Sequence, residues 1–204
     1  MKCFISYTYM VLKSREKNGG IKMRDICNED FDSFFLRVNR LLEMEEEVFQ
    51  GEDTDFEMGF SIQIPRDFSR MEKEEAENVF WSKNRPPVLF ARAGRNEGIT
   101  FQILSGAEDR EPEDWGRRAK ELLNQGDRRT VFYGDGREEK TYWMEYKSFA
   151  ARERIYNLLF LFAAGKNMIM GTFYCLFQDY QIWRPRILQM LHTIKTEENT
   201  DEGI

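Results

Sequence analysis

Hydrophobic residues are most concentrated between residues 154 and 195 of this 204-residue chain. Two apolar runs, at residues 155–163 and 168–177, are separated by a short segment with the composition of a turn at residues 164–167. Long apolar runs joined by a short turn predict an antiparallel pair of strands buried on both faces. We therefore expect this pair to form the middle of a sheet.

An amphipathic helix is predicted directly after these strands. Apolar residues recur there at helical spacing, at Trp183, Ile187, Met190, Leu191 and Ile194. Proline has no backbone N–H and is best tolerated in the first turn of a helix. We therefore expect the regular helix to begin at Pro185 and residues 179–184 to form a turn.

Alternation of apolar and polar residues predicts further strands upstream, at residues 60–64, 88–92, 99–104, 129–133 and 140–149. Glycine-containing segments at residues 94–98 and 134–136 are predicted to be hairpin turns. In the strand at 140–149, Trp143, Glu145 and Lys147 alternate with Tyr142, Met144 and Tyr146, which predicts one solvent-facing side.

Two short helices are predicted between these strands. Ser69 and Glu72 have the spacing of a capping box for the first. Pro112 and Gly126 have the positions of a helix start and stop for the second. The order predicts an α+β fold with an antiparallel six- or seven-stranded sheet sandwiched by helices.

An N-terminal amphipathic helix is predicted in addition, over residues 28–50. Its apolar stripe consists of Phe31, Phe34, Phe35, Val38, Leu41, Leu42, Val48 and Phe49. A stripe this broad requires a cover, either the main domain of the same chain or another molecule. The acidic residues at 52–55 predict a loop after this helix.

Four segments follow from these patterns. Residues 1–22 carry five basic residues and one acidic residue and form either a disordered arm or mis-annotated sequence upstream of a start at Met23. Residues 23–57 hold the N-terminal helix and a linker, residues 58–195 the α+β domain, and residues 196–204 a frayed tail.

The net charge of −6 argues against a general nucleic-acid surface, and no apolar run is long enough for a membrane span. Three cysteines without CxxC spacing and one histidine argue against a zinc site or a disulfide framework. We expect a cytoplasmic protein with no cofactor and no metal. The arginine pairs at 117–118, 128–129 and 184/186 are interpreted as salt-bridged surface residues, with an anion or partner contact as the alternative.

Two residues in the apolar stretch have side chains capable of catalysis. Cys175 is interpreted as a buried apolar residue, because only His192 is present to activate it. His192 lies off the buried stripe and is expected on the surface. No catalytic constellation is recognisable, so we expect a protein that is not an enzyme.

The domain at residues 58–195 resembles the PsbP-like superfamily, which includes the Ran-binding Mog proteins and the bacterial envelope protein DcrB. The resemblance rests on FSIQIPRDF, KNRPPVLF, ITFQIL, MIMGTFYCLF and IWRPRILQMLHTIK. It implies a bacterial protein with a helix-covered antiparallel sheet, in a superfamily whose better-known members bind other proteins. Many bacterial relatives are exported, whereas this sequence shows no leader, so their site of action is not carried over.

Two functions are therefore considered. The first is a protein-interaction or scaffold module that binds an unidentified protein or forms a homodimer. The second is a small-ligand binder with an aromatic pocket between sheet and helix. The candidate interaction residues are Phe31, Phe34, Phe35, Trp143 and Tyr146.

Overall fold

A computed structural model describes residues 49–79, 86–93, 96–104, 111–150 and 153–196. Ten strands lie in this part of the chain: β1 (Gly51–Phe56), β2 (Phe60–Pro65), β3 (Phe68–Arg70), β4 (Val88–Arg92), β5 (Gly98–Leu104), β6 (Val131–Glu138), β7 (Thr141–Ala150), β8 (Glu153–Ala164), β9 (Asn167–Leu176) and β10 (Lys195–Thr196). The helices are α1 (Lys73–Val79), α2 (Pro112–Gly126) and α3 (Tyr180–Leu191), the last preceded by a 3-10 turn at Phe177–Asp179.

Seven strands form one antiparallel sheet in the order β3-β4-β5-β9-β8-β7-β6. The predicted hairpin, β8 and β9, lies at its centre, flanked by β5 and β7. The other three strands form a small sheet in the order β1-β2-β10. The predicted α+β fold with a six- or seven-stranded antiparallel sheet is confirmed, since the large sheet has seven strands.

The two faces of the large sheet bury two separate cores. One face packs against α3 and the small sheet, with Phe60, Ile62, Phe160, Phe173 and Trp183 among its buried residues. The other face is covered by α2, which contributes Trp115 and Leu123. Helix α1 packs through Ala76 against Leu89 of β4. The covering layer is therefore helical on one face and mixed on the other, because the small sheet shares the α3 side.

The acidic segment predicted to be a loop is strand β1. It pairs with β2 over its whole length, from Gly51 opposite Pro65 to Phe56 opposite Phe60. The Phe56 and Phe60 rings stack 4.5 Å apart at the hairpin end. The acidic side chains remain in solvent at the edge of the small sheet, so their charge does not prevent pairing.

The start of α1 also differs from its prediction. Ser69 lies in the short strand β3 and pairs with Ala91, so it does not cap the helix. The helix begins at Lys73, after Glu72. Strand pairing of the residues around Ser69 therefore replaces the predicted capping box.

The predicted turn at residues 134–136 lies inside strand β6. A bulge between Phe132 and Gly134 shifts the register, and the strand then continues to Glu138. A side chain at Gly136 would place its Cβ 2.6 Å from the Trp143 ring on β7. The glycine is therefore required by the close approach of that ring, and the hairpin turns at Glu139, which has a positive φ of 51°.

The predicted solvent-facing side of β7 is buried. Trp143, Glu145 and Lys147 are 7%, 0% and 0% exposed, respectively, because α3 packs over this face of the sheet. Charged residues at every second position of a strand normally indicate a face that is exposed to water. Here Glu145 and Lys147 form a polar part of the core instead.

The last helix begins earlier than predicted, at Tyr180, with Pro185 inside it. The missing N–H of Pro185 removes one backbone hydrogen bond. Burial of Tyr180 and Trp183 offsets this loss, since both residues are on the inner side of the helix. The predicted N-terminal helix at residues 28–50 falls almost entirely outside the described residues.

Candidate functional site

Helix α3 is held on the large sheet by an aromatic contact around Trp183. The Trp183 ring packs edge-on against the Phe68 ring, with the ring centroids 5.2 Å apart, and at a tilt against the Phe173 ring, with the centroids 5.6 Å apart. The guanidinium groups of Arg92 and Arg186 lie 5.8 and 5.6 Å from the ring centroid. Each such contact contributes roughly 0.5–1.5 kcal/mol beyond burial. Together they fix the N-terminal half of α3.

A buried ion pair connects the same helix to β7. Arg184 Nε lies 2.9 Å from Glu145 Oε1, and the two side chains are 7% and 0% exposed. The Arg184 guanidinium also lies 5.8 Å from the Trp143 ring. A shift of α3 that separated these two groups would leave buried charge without its partner, which is unfavourable. We interpret this pair as the element that sets the position of α3 on the sheet.

Lys147 is a second buried charge in this part of the core. Its ammonium group lies 5.3 Å from the Phe177 ring, 5.6 Å from Phe149 and 6.0 Å from Tyr133. A cation this close to three ring faces is stabilised by their quadrupoles. Phe177 immediately precedes α3, so this cluster fixes the entry of the helix.

Trp143 and Tyr146, the two described candidate interaction residues, are not brought together. They lie three residues apart on β7 and therefore on opposite faces of the sheet. Trp143 is 7% exposed in the core under α3, and Tyr146 is 1% exposed in the core under α2. They form neither an exposed surface nor one pocket. Phe31, Phe34 and Phe35 lie outside the described residues, and their role stays a prediction.

The outward side of α3 differs from the rest of the surface. We define the outer α3 face as the following four residues, none of them charged: Gln181, Ile182, Pro185 and Gln189. Ile182 is 57% exposed, and the only other exposed large apolar side chain among the described residues is Ile103 on β5, at 38%. In a chain with 32% charged residues, an uncharged helix side with an exposed isoleucine is a candidate contact surface.

His192 and Cys175 occupy the predicted environments. His192 is half exposed at the end of α3, with Nε2 3.4 Å from Glu138 Oε2. Cys175 is completely buried, and burial, with the nearby charges of Asp179 and Glu97, raises the pKa of its thiol. Among the described residues, no group of three or more His, Cys, Asp or Glu side chains is placed to hold a metal ion.

The arginine pairs have different environments. Arg117 contacts Asp114 one helical turn away on the surface, as predicted. Arg129 binds Asp127 with Nη2 2.7 Å from Oδ2. Burial alone would raise the pKa of the Asp127 carboxyl, but the hydrogen bonds and charge of Arg129 outweigh it and lower that pKa. Arg184 is the exception, because it is buried against Glu145 instead of lying on the surface.

Sequence reasoning missed Glu145, Arg184 and Ile182. Both charged residues sit in patterns typical of solvent-exposed positions. Ile182 falls in the segment that Pro185 appeared to exclude from the helix. One feature of the sequence indicated burial of these charges. Glu145 and Lys147 stand on either side of the aromatic residue Tyr146. None of the helices in the described ranges is long and apolar enough to cross a membrane.

No protein-family model matches the chain, and no curated protein matches its sequence. The solution structure of cyanobacterial PsbP (CyanoP) from Synechocystis sp. PCC 6803 is similar over 77% of this chain and 99% of that chain, with a TM-score of 0.52 and 12% identity. PA94 of Pseudomonas aeruginosa, a protein of unknown function, aligns over 72% and 98% of the two chains with a TM-score of 0.42 and 9% identity.

LpqN of Mycobacterium tuberculosis, which is involved in cell envelope biogenesis, aligns over 73% of this chain and 86% of its own, with a TM-score of 0.39 and 9% identity. The similarities to PA94 and LpqN are too weak to carry an argument. The similarity to CyanoP extends over nearly all of that protein, but at this identity it concerns the fold alone. The chain therefore has a PsbP-like fold.

Proposed function

We propose that this protein is a non-enzymatic protein-interaction module and that the outer α3 face is its contact surface. The observation that carries the proposal is Ile182, 57% exposed on an uncharged helix side. A single exposed apolar residue is common on protein surfaces. Here its helix is held by the buried Glu145–Arg184 pair, so the surface is preorganised.

Preorganisation supports binding because the α3 surface then loses less conformational entropy when the contact forms. The uncharged face also avoids the desolvation cost that charged side chains add at the centre of an interface. Arg186 and the exposed Gln178 lie beside this face and provide a polar rim.

The test is affinity capture from a bacterial cytoplasmic lysate with the full-length protein and two variants. Ile182→Glu places a charge in the outer α3 face. Ile103→Glu makes the identical change at the other exposed isoleucine, on β5, and is the matched control. We expect at least one protein to be retained by the wild type and by the control but lost with Ile182→Glu.

The retained proteins and metabolites are identified by mass spectrometry, and self-association is measured by sedimentation. An identical set of retained molecules for all three proteins would contradict the proposal. Far-UV circular dichroism of both variants checks that the fold is kept. A metabolite retained equally by all three proteins would favour small-ligand binding instead, at a site other than a joint Trp143–Tyr146 pocket.

A further inference from the structure

Strand β6 is the open edge of the large sheet. Among the described residues it pairs with β7 alone, and none of its eight residues is buried, whereas eight of the ten residues of β7 are buried. The strand at the opposite edge, β3, has only three residues. An exposed edge strand presents a row of backbone N–H and C=O groups, to which a strand of another molecule can add. The β6 edge is long enough for such an addition.

The turn after β6 shows which of its backbone groups face outward. A turn of two residues joins β6 to β7, and Glu138 pairs with Thr141 across it. The pair that closes such a hairpin exchanges its hydrogen bonds, and the direction of the backbone groups then alternates along the strand. Backbone groups at every second residue before Glu138 therefore point to β7 as well. Those of Asp135 and Arg137 point to the open edge.

The two residues at the open edge carry opposite charges on one side of the sheet. Both are exposed. The Asp135 carboxylate accepts a hydrogen bond from Tyr142, and Arg137 Nη1 lies 2.8 Å from Glu113 Oε1 on α2. These contacts hold both charges on the α2 side of the sheet, beside the outward backbone groups. An added strand is therefore favoured when it carries a base opposite Asp135 and an acid opposite Arg137.

A second copy of β6 in antiparallel orientation meets this requirement. When Gly136 lies opposite Gly136 of the second copy, Asp135 of each copy lies opposite Arg137 of the other. A shift of the register by two residues in either direction would place Asp135 opposite Asp135, or Arg137 opposite Arg137, which is unfavourable. The charges of β6 therefore favour one occupant and one register.

The centre of this arrangement allows a close approach. Directly opposite residues that are not hydrogen-bonded have their Cα atoms about 4.5 Å apart, a distance that glycine permits because it has no side chain. On the α3 side the Trp143 ring lies over Gly136, since a Cβ there would be 2.6 Å from the ring. The two Trp143 rings of a pair would therefore approach each other near the two-fold axis and add apolar contact.

We infer that this protein forms a two-fold dimer through β6, with Asp135 opposite Arg137 of the second copy and the two seven-stranded sheets joined into one. The inference concerns a surface other than the outer α3 face and does not depend on the proposed function. The partner that fits the β6 edge is an identical strand.

Charge exchange in the full-length protein tests the inference. Asp135→Arg places two like positive pairs across the interface of its own dimer, and Arg137→Asp places two like negative pairs across its own. In a mixed dimer of the two variants, every arginine lies opposite an aspartate again. Matched controls make the same two changes on exposed residues of other edge strands, Asp53→Arg on β1 and Arg70→Asp on β3.

Sedimentation velocity over a range of protein concentrations measures the dissociation constant of the dimer. We expect each β6 variant alone to dimerise at least about tenfold more weakly than the wild type. The equimolar mixture should recover a dissociation constant close to that of the wild type. Both controls should dimerise as the wild type does, and urea unfolding checks that every variant is folded.

A wild type that stays monomeric at the highest concentration measured would overturn the inference, as would a dimer that neither β6 change weakens. Loss of the dimer in both folded variants without recovery in their mixture would also overturn it, because β6 would then not pair in this register. Ile182→Glu separates the two proposals, since it should leave the dimer unchanged whether or not it loses a captured partner. A dimer lost in Ile182→Glu but kept in both β6 variants would overturn the inference and assign the dimer contact to the outer α3 face.

Discussion

Removal of one partner of the Glu145–Arg184 pair should destabilise the protein strongly. In Glu145→Ala the Arg184 guanidinium, 7% exposed and now facing a cavity where the carboxylate was, stays in the core with Lys147. Breaking a buried pair in this way costs about 3–5 kcal/mol. At about 2–4 °C per kcal/mol for a chain of this size, Tm should fall by about 6–20 °C.

Replacement of both residues should cost much less. The double variant Glu145→Leu with Arg184→Met removes both charges and keeps most of the buried volume, a change that is often neutral or stabilising. The contact between Arg184 and the Trp143 ring is also lost, at about 0.5–2 kcal/mol. The double variant should therefore be more stable than Glu145→Ala by several kcal/mol.

Urea unfolding followed by tryptophan fluorescence measures these differences, because Trp143 and Trp183 lie beside the pair. Glu153→Ala, at an exposed position of β8, is the matched control and should stay within about 0.5 kcal/mol of the wild type. A loss of less than about 1 kcal/mol in Glu145→Ala, a small fraction of the expected cost, would contradict the strong destabilisation expected from an unpaired buried charge. A double variant no more stable than Glu145→Ala would contradict it as well.

Three further predictions concern other parts of the fold. Gly116→Ala should destabilise the protein by about 1–3 kcal/mol in urea unfolding, because the new Cβ would overlap the ring of the buried Tyr142. Combining it with Tyr142→Leu should relieve most of this cost. Asp127→Asn should lower the urea concentration at the unfolding midpoint at pH 7 but not at low pH. Arg129 lowers the pKa of Asp127 in the folded state. Ionised Asp127 therefore stabilises the folded protein fully above its unfolded-state pKa of about 4, and this stabilisation is lost as the pH falls through its folded-state pKa. In a protein with Cys3 and Cys27 changed to serine, Cys175 should not react with a thiol reagent at pH 8 until urea is added. The reason is that the thiol is buried and that burial raises its pKa. Rapid labelling of the folded protein would contradict the position of Cys175 in the core.

Local sequence patterns correctly predicted the strands and helices in which each side is consistently apolar or consistently polar along its length. Strands β8 and β9 are apolar on both sides, so any arrangement that exposed either would be unfavourable, and their central place follows. The hairpin of β4 and β5 and the helix α2 carry their own alternation and end residues. For these elements the pattern contained enough information, because short-range preferences and burial agree.

The predictions failed where a residue on another strand or helix decides the local structure. Gly136 belongs to a strand because the Trp143 ring of the neighbouring strand occupies the space of a side chain. Glu145 and Lys147 are buried because α3 and the 3-10 turn before it, thirty or more residues later in the chain, supply Arg184 and the ring of Phe177. The pairings of Glu145 with Arg184 and of Lys147 with Phe177 lie outside any short window of sequence around either residue.

The sequence by itself determined an antiparallel α+β fold and placed Cys175 inside and His192 outside, because burial follows from hydrophobic pattern. The exposure of the outer α3 face, which we propose as a contact surface, depends on the tertiary structure alone. Packing of α3 on the sheet extended the helix through Pro185 and turned Ile182 to the outside, whereas Trp143 and Tyr146 were drawn into two different cores. The physical reason is that exposure of a side chain depends on which face its element buries, and only the assembled sheet and helix settle that choice.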